Sequence, residues 1–273
     1  MAIQFGICNE IFKDWPLDKI FHYAKTVGYD AVEIAPFTIA NHVTDIPASE
    51  RTRIADSAAR ADIAISGIHW VLAQTEGMYV THPEESVRQR TSQYFVELTN
   101  FCADIGGKRI VIGSPKQRNL MEGVTYGQAW EWATIVFGDA VKRAEDRGIT
   151  LCFEPLAPND TNFINTAEEG IRFTRQLGSA HFKIILDVKA MCSMGKPIPQ
   201  IIRESKGEFA YFHANDANLK GPGFGEVDFT PIAAALREVG YDGMVSVEVF
   251  IFDEGPEAIA TRSLEYLKRT FAE

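Results

Sequence analysis

Four residues of metal-ligand type close four apolar stretches of the chain. Glu154 ends Thr150-Leu-Cys-Phe-Glu before Pro155, Asp187 ends Lys183-Ile-Ile-Leu-Asp, His213 ends Ala210-Tyr-Phe-His, and Glu248 ends Met244-Val-Ser-Val-Glu. Each stretch has the apolar, β-branched or aromatic character of a buried strand, and Pro155 cannot continue a central one. An isolated ionised carboxylate in an apolar interior is too costly to keep, so it must be paired, coordinated to a metal or protonated. A lone carboxylate at a strand end is often only a salt-bridge partner, and a lone histidine often just packs. Four such residues ending successive strands favour a shared site instead. Three carboxylates and one imidazole suit Mn²⁺ or Mg²⁺, with Co²⁺ and Zn²⁺ as alternatives, and disfavour thiolate-seeking metals.

The elements that must position the four residues alternate along the whole chain. Strands are expected at residues 2–8, 30–36, 64–70, 109–114, 150–155, 183–187, 210–213 and 244–248. Helices are expected at 17–27, 48–61, 83–105, 125–147, 166–178, 199–206, 230–240 and 256–271. Gly28, Gly106-Gly107, Gly148, Gly178 and Gly240 stop helices, the polarity expected of C-caps. Thr166-Ala-Glu-Glu169 reads as a capping box, and Thr230-Pro231 as an N-cap followed by proline at the first helical position. Eight strands and eight helices in strict alternation imply a parallel sheet closed as a (β/α)8 TIM barrel, with residues 1–273 as one domain. An internal echo, Val27-Gly-Tyr-Asp-Ala-Val-Glu-Ile34 against Val239-Gly-Tyr-Asp-Gly-Met-Val-Ser-Val-Glu-Val249, fits that repeat. The rival, an open doubly wound sheet, lacks a glycine-rich fingerprint after its first strand. In a barrel the active site lies at the carboxyl ends of the strands, where the four ligands stand.

Composition sets the class. The 273 residues are 46% hydrophobic and 23% charged, ordinary for a globular protein with a large core. A formal charge of -10 argues against nucleic acid, whose affinity comes largely from Lys and Arg on phosphates. No apolar run reaches the length of a membrane span. Cys8, Cys102, Cys152 and Cys192 form no CxxC pair, so no disulfide framework is expected. The chain begins directly as a strand with no basic leader, and a cytoplasmic location is expected. A homo-oligomer is left open.

The four ligands in their contexts, Phe-Glu-Pro, Leu-Asp-Val, Phe-His-Ala-Asn-Asp and Val-Glu-Val, resemble the sugar-phosphate isomerase/epimerase family with xylose-isomerase-like barrels. That family includes ketose 3-epimerases, hydroxypyruvate isomerases, inosose dehydratases and an apurinic endonuclease branch. The resemblance spans essentially the whole chain, and its most specific piece is the strand end and glycine-rich loop from His213 to Asp228. It implies one divalent metal held by Glu154, Asp187, His213 and Glu248, with Glu154 and Glu248 also serving as the acid/base pair. Two positions depart from the epimerase pattern: Ala190 stands where a histidine commonly follows the aspartate by three residues, and Leu219 where several members carry an arginine. The acidic chain also lacks the extra histidines of the endonuclease branch.

Further residues are candidates for substrate contact. Lys189 has the parity of Asp187 and would face the mouth on a continuing strand, or else lie in solvent on the rim. His69 and Glu33 end their strands, His69 to touch substrate or support a ligand, Glu33 to hydrogen-bond behind the ligands. Ser114-Pro-Lys-Gln-Arg118 would set two cations, Lys116 first, at the rim for an anionic or polyhydroxylated substrate, or for ion pairs with a neighbouring loop. Trp15, Phe37, Trp70 and Phe252 are candidate apolar walls or plain core.

The resemblance implies one chemistry with several outcomes. A divalent cation chelated by a carbonyl and an adjacent hydroxyl polarises the carbonyl and stabilises the enediolate left when a neighbouring C–H loses its proton. One glutamate takes that proton and the other returns one. Return to the opposite face or a neighbouring carbon makes an epimerase or isomerase of a keto-sugar or small hydroxy-keto compound. Loss of a leaving group makes a lyase or dehydratase acting on a keto-inositol, keto-acid or 3-keto-glycoside. A barrel kept only to bind sugar has no reason to retain all four ligands.

Overall fold

Parallel strands buried on both faces read as short apolar runs, and the runs of this chain pair in sequence order. In the computed structural model, which describes residues 3–272, they are β1 (Gln4–Cys8), β2 (Ala31–Ile34), β3 (Ala64–Ile68), β4 (Arg109–Ile112), β5 (Thr150–Phe153), β6 (Phe182–Asp187), β7 (Phe209–Ala214) and β8 (Met244–Val247). Each pairs with the next and β8 closes on β1, giving an eight-stranded parallel barrel. Ala2, the first residue of the expected opening strand, lies outside the described residues.

Several strands stop short of their expected ends, and the backbone gives the reason. Pro36 opens a 3-10 turn after β2. Trp70 (φ 51°) and Ser114 (φ 38°) take left-handed backbone beyond β3 and β4, which no strand can continue and which costs an L-residue about 1–2 kcal/mol.

The helices between the strands are α1 (Leu17–Val27), α2 (Ala48–Arg60), α3 (Glu85–Asp104), α4 (Tyr126–Arg147), α5 (Ala167–Gln176), α6 (Val188–Met191), α7 (Ile198–Glu204), α8 (Thr230–Glu238) and α9 (Pro256–Ala272). The reciprocal capping box is at Thr125 and Gln128. Thr166 does accept from the Glu169 N–H, but the Glu169 carboxylate turns to the Asn165 N–H (2.9 Å) instead of closing the box. Thr230 is not the N-cap: it already lies in α8, and the Asp228 carboxylate accepts its N–H at 2.9 Å. The single turn α6 was not expected. It forms because Asp187 caps it, accepting the Ala190 N–H at 2.7 Å.

Two apolar layers hold the barrel. Outward-facing strand residues pack under the helices, where Phe137, Phe153, Phe173 and Phe182 meet edge to face or tilted at centroid distances of 5.0–6.4 Å. The inner face carries a small separate cluster of Val111, Cys152, Ile185 and Tyr211. Side chains two residues apart on a strand share a face, so Cys152, Ile185 and Tyr211 fix the inward parity of Glu154, Asp187 and His213. The β6–β7 register sets Asp187 directly opposite His213.

The closest backbone approach inside the barrel wall is at Gly67, where an added Cβ would lie 2.0 Å from the Arg109 carbonyl oxygen. Gly67→Ala must therefore part β3 from β4, and by the cost of overpacking it should lower unfolding stability by about 1–3 kcal/mol. Urea denaturation followed by circular dichroism measures this; an unchanged midpoint would mean that the two strands separate freely.

Candidate metal centre

The parity of four strands carries Glu154, Asp187, His213 and Glu248 to one end of the barrel, and one ligand atom from each lies within 4.8 Å of all the others. All four are buried. The glycine after β4 makes room for them: a Cβ on Gly113 would stand 2.3 Å from Glu154 Oε2. The Asp187 carboxylate is fixed on both sides, by the Ala190 N–H on Oδ1 and by Asn215 Nδ2 on Oδ2 (2.5 Å). His213 is fixed from behind, its Nε2 lying 3.2 Å from both oxygens of Glu33 while Nδ1 faces Glu248 at 3.1 Å. A carboxylate behind a histidine sets the tautomer and leaves the other ring nitrogen free to ligate.

Electrostatics match a cation-binding centre. In the metal-free chain burial, and then the charges of Asp187 and Glu248, push the Glu154 carboxyl up to about 8. Burial and Glu248 push Asp187 up to about 6. Burial likewise acts on Glu33, but the facing His213 and His69 outweigh it and hold this carboxyl down at about 2. Burial alone would lower His69; Glu10 and Glu33 overcome it and raise the imidazole to about 9. The Cys8 thiol near Glu33 is pushed well up by burial and by Glu33, so it stays neutral and is a poor ligand. Three repelling carboxylates around one imidazole, open on one side to a cavity, fit a divalent cation of hard or borderline character.

The cavity above the four is small, about 100 Å³. Glu154, Asp187, Glu248, His69, Trp70 and Lys189 line it, together with Ser114, Asp160 and Phe250. Lys189 reaches it by an unexpected route: it stands on α6, not on a continuing strand, with its N–H held by Asn215 Oδ1 (2.8 Å) and Nζ 2.6 Å from Asp160. Trp70 meets Phe250 edge-on at 6.2 Å to form the apolar wall.

Other sequence candidates fall elsewhere. Lys116 is exposed, in the 3-10 turn Pro115–Gln117, and does not line the cavity. The turn that starts at left-handed Ser114 directs it to solvent. Glu33 lies behind His213 and does not line the cavity either; it is a support, not a substrate contact. Arg118 is not a rim cation but a buried one, with Nη2 donating to the Glu154 carbonyl (2.6 Å) and the guanidinium 4.7 Å from the Phe153 ring centroid. Trp15, Phe37 and Phe252 line a separate groove. Sequence reasoning missed Asn215, although it shares the inward parity of His213. It also missed Glu10, 2.9 Å from His69, and Asp160, whose loop position carries no periodic signal.

Residues 21–270 match the xylose isomerase-like TIM barrel family, and the chain belongs to it. Over 246 residues, 88% of this chain and 80% of the relative, it is 25% identical to the D-psicose 3-epimerase of Ruminiclostridium cellulolyticum. It is 27% identical to the L-ribulose 3-epimerase of Mesorhizobium japonicum over 172 residues, 63% of this chain and 58% of that one. Among solved structures, the D-psicose 3-epimerase of Clostridium cellulolyticum with D-tagatose superposes with a TM-score of 0.86 at 19% identity, covering 98% of this chain and 99% of that one. The 3-keto-D-glucoside 4-epimerase of E. coli superposes at 0.85 and 19% identity, covering 98% and 100%. At these identities the structural likeness concerns the fold.

The raised carboxyls fix the sign of a pH effect. A carboxyl with a raised folded pKa contributes stability that is fully present below its unfolded pKa and lost as pH rises through the folded value. Glu154 and Asp187 (about 8 and about 6) therefore make the metal-free protein less stable as pH climbs from the ordinary carboxylate range to about 8. Mn²⁺ should reverse the trend, since ligation displaces those protons. Thermal unfolding across this window with chelator or with Mn²⁺ checks the sign, and calorimetry in buffers of different ionisation enthalpy counts the protons released. A metal-free stability that rises with pH would contradict the assignment.

Proposed function

We propose that this xylose isomerase-like barrel is a divalent-metal-dependent isomerase or epimerase of a keto-sugar or small hydroxy-keto compound. The observation that carries the reading is the convergence of four potential ligand atoms within 4.8 Å beneath a cavity walled by the carboxylates of three of them, Glu154, Asp187 and Glu248. Relatives named as D-psicose and L-ribulose 3-epimerases support the reaction class. Mn²⁺ is the proposed metal, held by Glu154, Asp187, His213 and Glu248.

When bound, the cation would polarise a substrate carbonyl and favour loss of a proton from the neighbouring carbon. The protein's own groups do the rest. Glu154 and Glu248 line the cavity from β5 and β8, and one takes the proton while the other returns one to the opposite face of the planar enediolate or to its neighbouring carbon. His69, Trp70 and Lys189 are the proposed substrate contacts: Lys189 offers N–H donors to a hydroxyl or oxo group, and Trp70 with Phe250 excludes water.

A second reading, a lyase or dehydratase, is favoured by one observation. Ala190, buried within α6, and Leu219 bring no donor to the cavity, whose cation is Lys189 paired with Asp160. In this proposal residues 1–273 form one domain acting on a small sugar-like molecule, and the formal charge of -10 argues against a nucleic-acid partner. No helix among the described residues is long and apolar enough to cross a membrane. The cytoplasmic assignment is supported by four free cysteines, three of them buried.

The two glutamates should separate from the two pure ligands. An amide keeps a ligating oxygen but has no useful basicity, so Glu154→Gln and Glu248→Gln should retain some metal while turnover falls about 10²–10⁴-fold. Asp187→Asn should fail mainly through weak metal binding and recover in excess Mn²⁺. The assay is deuterium incorporation from D₂O into ketoses, inososes and 3-keto-glycosides. Incorporation with the skeleton intact means isomerase or epimerase, and loss of water or aglycone means lyase. Rescue of the Gln variants by Mn²⁺ to the same extent as Asp187→Asn would make both glutamates ligands only.

A further inference from the structure

We infer that Arg118 is a positioning residue for Glu154. Its guanidinium takes the place of a missing strand neighbour and holds the Glu154 backbone, so that the carboxylate meets Asp187, His213 and Glu248. This rests on the reading of Glu154 as ligand and proton carrier, and it adds the residue through which the loop after β4 sets that group.

The local backbone creates the need. β4 and β5 pair in register as far as Ile112 and Phe153, and the Glu154 N–H still donates to the Ile112 carbonyl at 3.1 Å. In a parallel ladder the next rung would bring the Ser114 N–H to the Glu154 carbonyl. Ser114 turns left-handed instead (φ 38°), and that rung is lost. Arg118 Nη2 donates to the Glu154 carbonyl at 2.6 Å, and Nη1 donates to the Ile112 carbonyl at 3.4 Å. One guanidinium thus spans both strand ends at the point where the ladder stops.

The burial of Arg118 is the second reason. It is 2% exposed, and its Nε has no hydrogen-bond partner. Its further support is the Phe153 ring, 4.7 Å from the guanidinium carbon. Among the described residues no carboxylate pairs with it directly, and the neighbouring Asp160 is taken by Lys189. An apolar side chain of similar volume would cost less than such a buried cation. What the guanidinium adds is specific to Glu154: a donor for its carbonyl, and a positive charge that favours its ionised form against burial, Asp187 and Glu248.

The segment that carries Arg118 is itself fixed. The carbonyl of the next residue, Asn119, accepts the Tyr79 and Thr81 hydroxyls at 3.0 and 2.7 Å. The Asn119 side-chain oxygen accepts the Thr161 hydroxyl at 2.8 Å and the Asn162 N–H at 3.2 Å. These bonds tie the Arg118 segment to the loop after β5, so the guanidinium meets Glu154 from a rigid base. A metal ligand held to about 0.5 Å needs support of this kind.

The test replaces Arg118 in the full chain and reads Mn²⁺ affinity from the EPR signal of the free ion, well below the unfolding midpoint. Arg118→Met, similar in length but without donors or charge, should weaken Mn²⁺ binding by about tenfold or more. A merely structural part would lower the thermal midpoint and leave the affinity of the folded protein as it was. Unchanged or tighter binding therefore overturns the inference. Should the methionine variant not fold, Arg118→Lys takes its place; it keeps the charge but not the two-pronged donor, so binding should still weaken severalfold, and unchanged binding again overturns it. At saturating Mn²⁺, deuterium exchange into whichever ketose the unaltered protein uses should show kcat falling with KM within about twofold, because Arg118 does not line the cavity. If no ketose exchanges, the proposed reaction fails by itself and the Mn²⁺ affinities still judge Arg118. If the unaltered protein binds no Mn²⁺, the metal reading fails, and amide hydrogen exchange at Glu154 decides: faster exchange in the variant supports the hold on Glu154, and equal exchange refutes it.

Discussion

The mutual repulsion of Glu154, Asp187 and Glu248 is the constraint the rest of the structure answers to. Three carboxylates gathered around His213 with almost no solvent cannot all stay charged unaided, because each buried ion carries a desolvation cost of several kcal/mol and like charges add to it. Only a proton or a cation relieves this. The barrel still forces them together, because Asp187 stands in β6 while Glu154 and Glu248 directly follow β5 and β8, strands whose register is locked to their neighbours, and the phenylalanines under α4 and α5 hold the outer faces of β5 and β6. The packing of the sheet thus sustains a charge arrangement that no flexible loop could hold.

Behind and beside the four converging groups lies a second polar set with the opposite character. Glu33, His69 and Tyr211 are as buried as the ligands, yet here charges are matched: Glu33 faces two imidazoles, and the Tyr211 hydroxyl donates to it at 2.9 Å. Two glutamates in one barrel are thereby driven apart, Glu33 to about 2 and Glu154 to about 8. Burial raises both; only the sign of the neighbours differs. Environments that push like groups apart in this way distinguish a permanently charged support from a group able to exchange a proton.

The legibility of these layers in the sequence follows from what encodes them. The barrel was readable because alternation of strand and helix is a property of local pattern, and the four ligands because each ends a run with a two-residue repeat. Strand ends were less readable: left-handed Trp70 and Ser114 obey the cavity rather than any turn motif. Parity brings Lys189 to the mouth only on a continuing strand, with the rim as the alternative; a single helical turn capped by Asp187 brings it to the cavity instead. Arg118 looked like a rim cation because sequence records its charge but not the carbonyls of Ile112 and Glu154 that draw it inside. Asp160 and Glu10 act through partners distant in sequence, and no local pattern marks them.

Strands and loops consequently divide the work. The strands or their ends carry Glu154, Asp187, His213 and Glu248, the four groups that converge, and Glu33 and Tyr211 behind them. Residues beyond the strands, Trp70, Asp160, Lys189 and Phe250, make the cavity walls. The position of Lys189 depends on Asn215, which bonds both the Lys189 N–H and the Asp187 carboxylate. A shift of the ligand therefore moves the lysine with it. Under the proposed reaction, the choice among epimerisation, isomerisation and elimination would turn on which substrate carbon the cavity walls hold against Glu154 and Glu248, a matter of loop geometry.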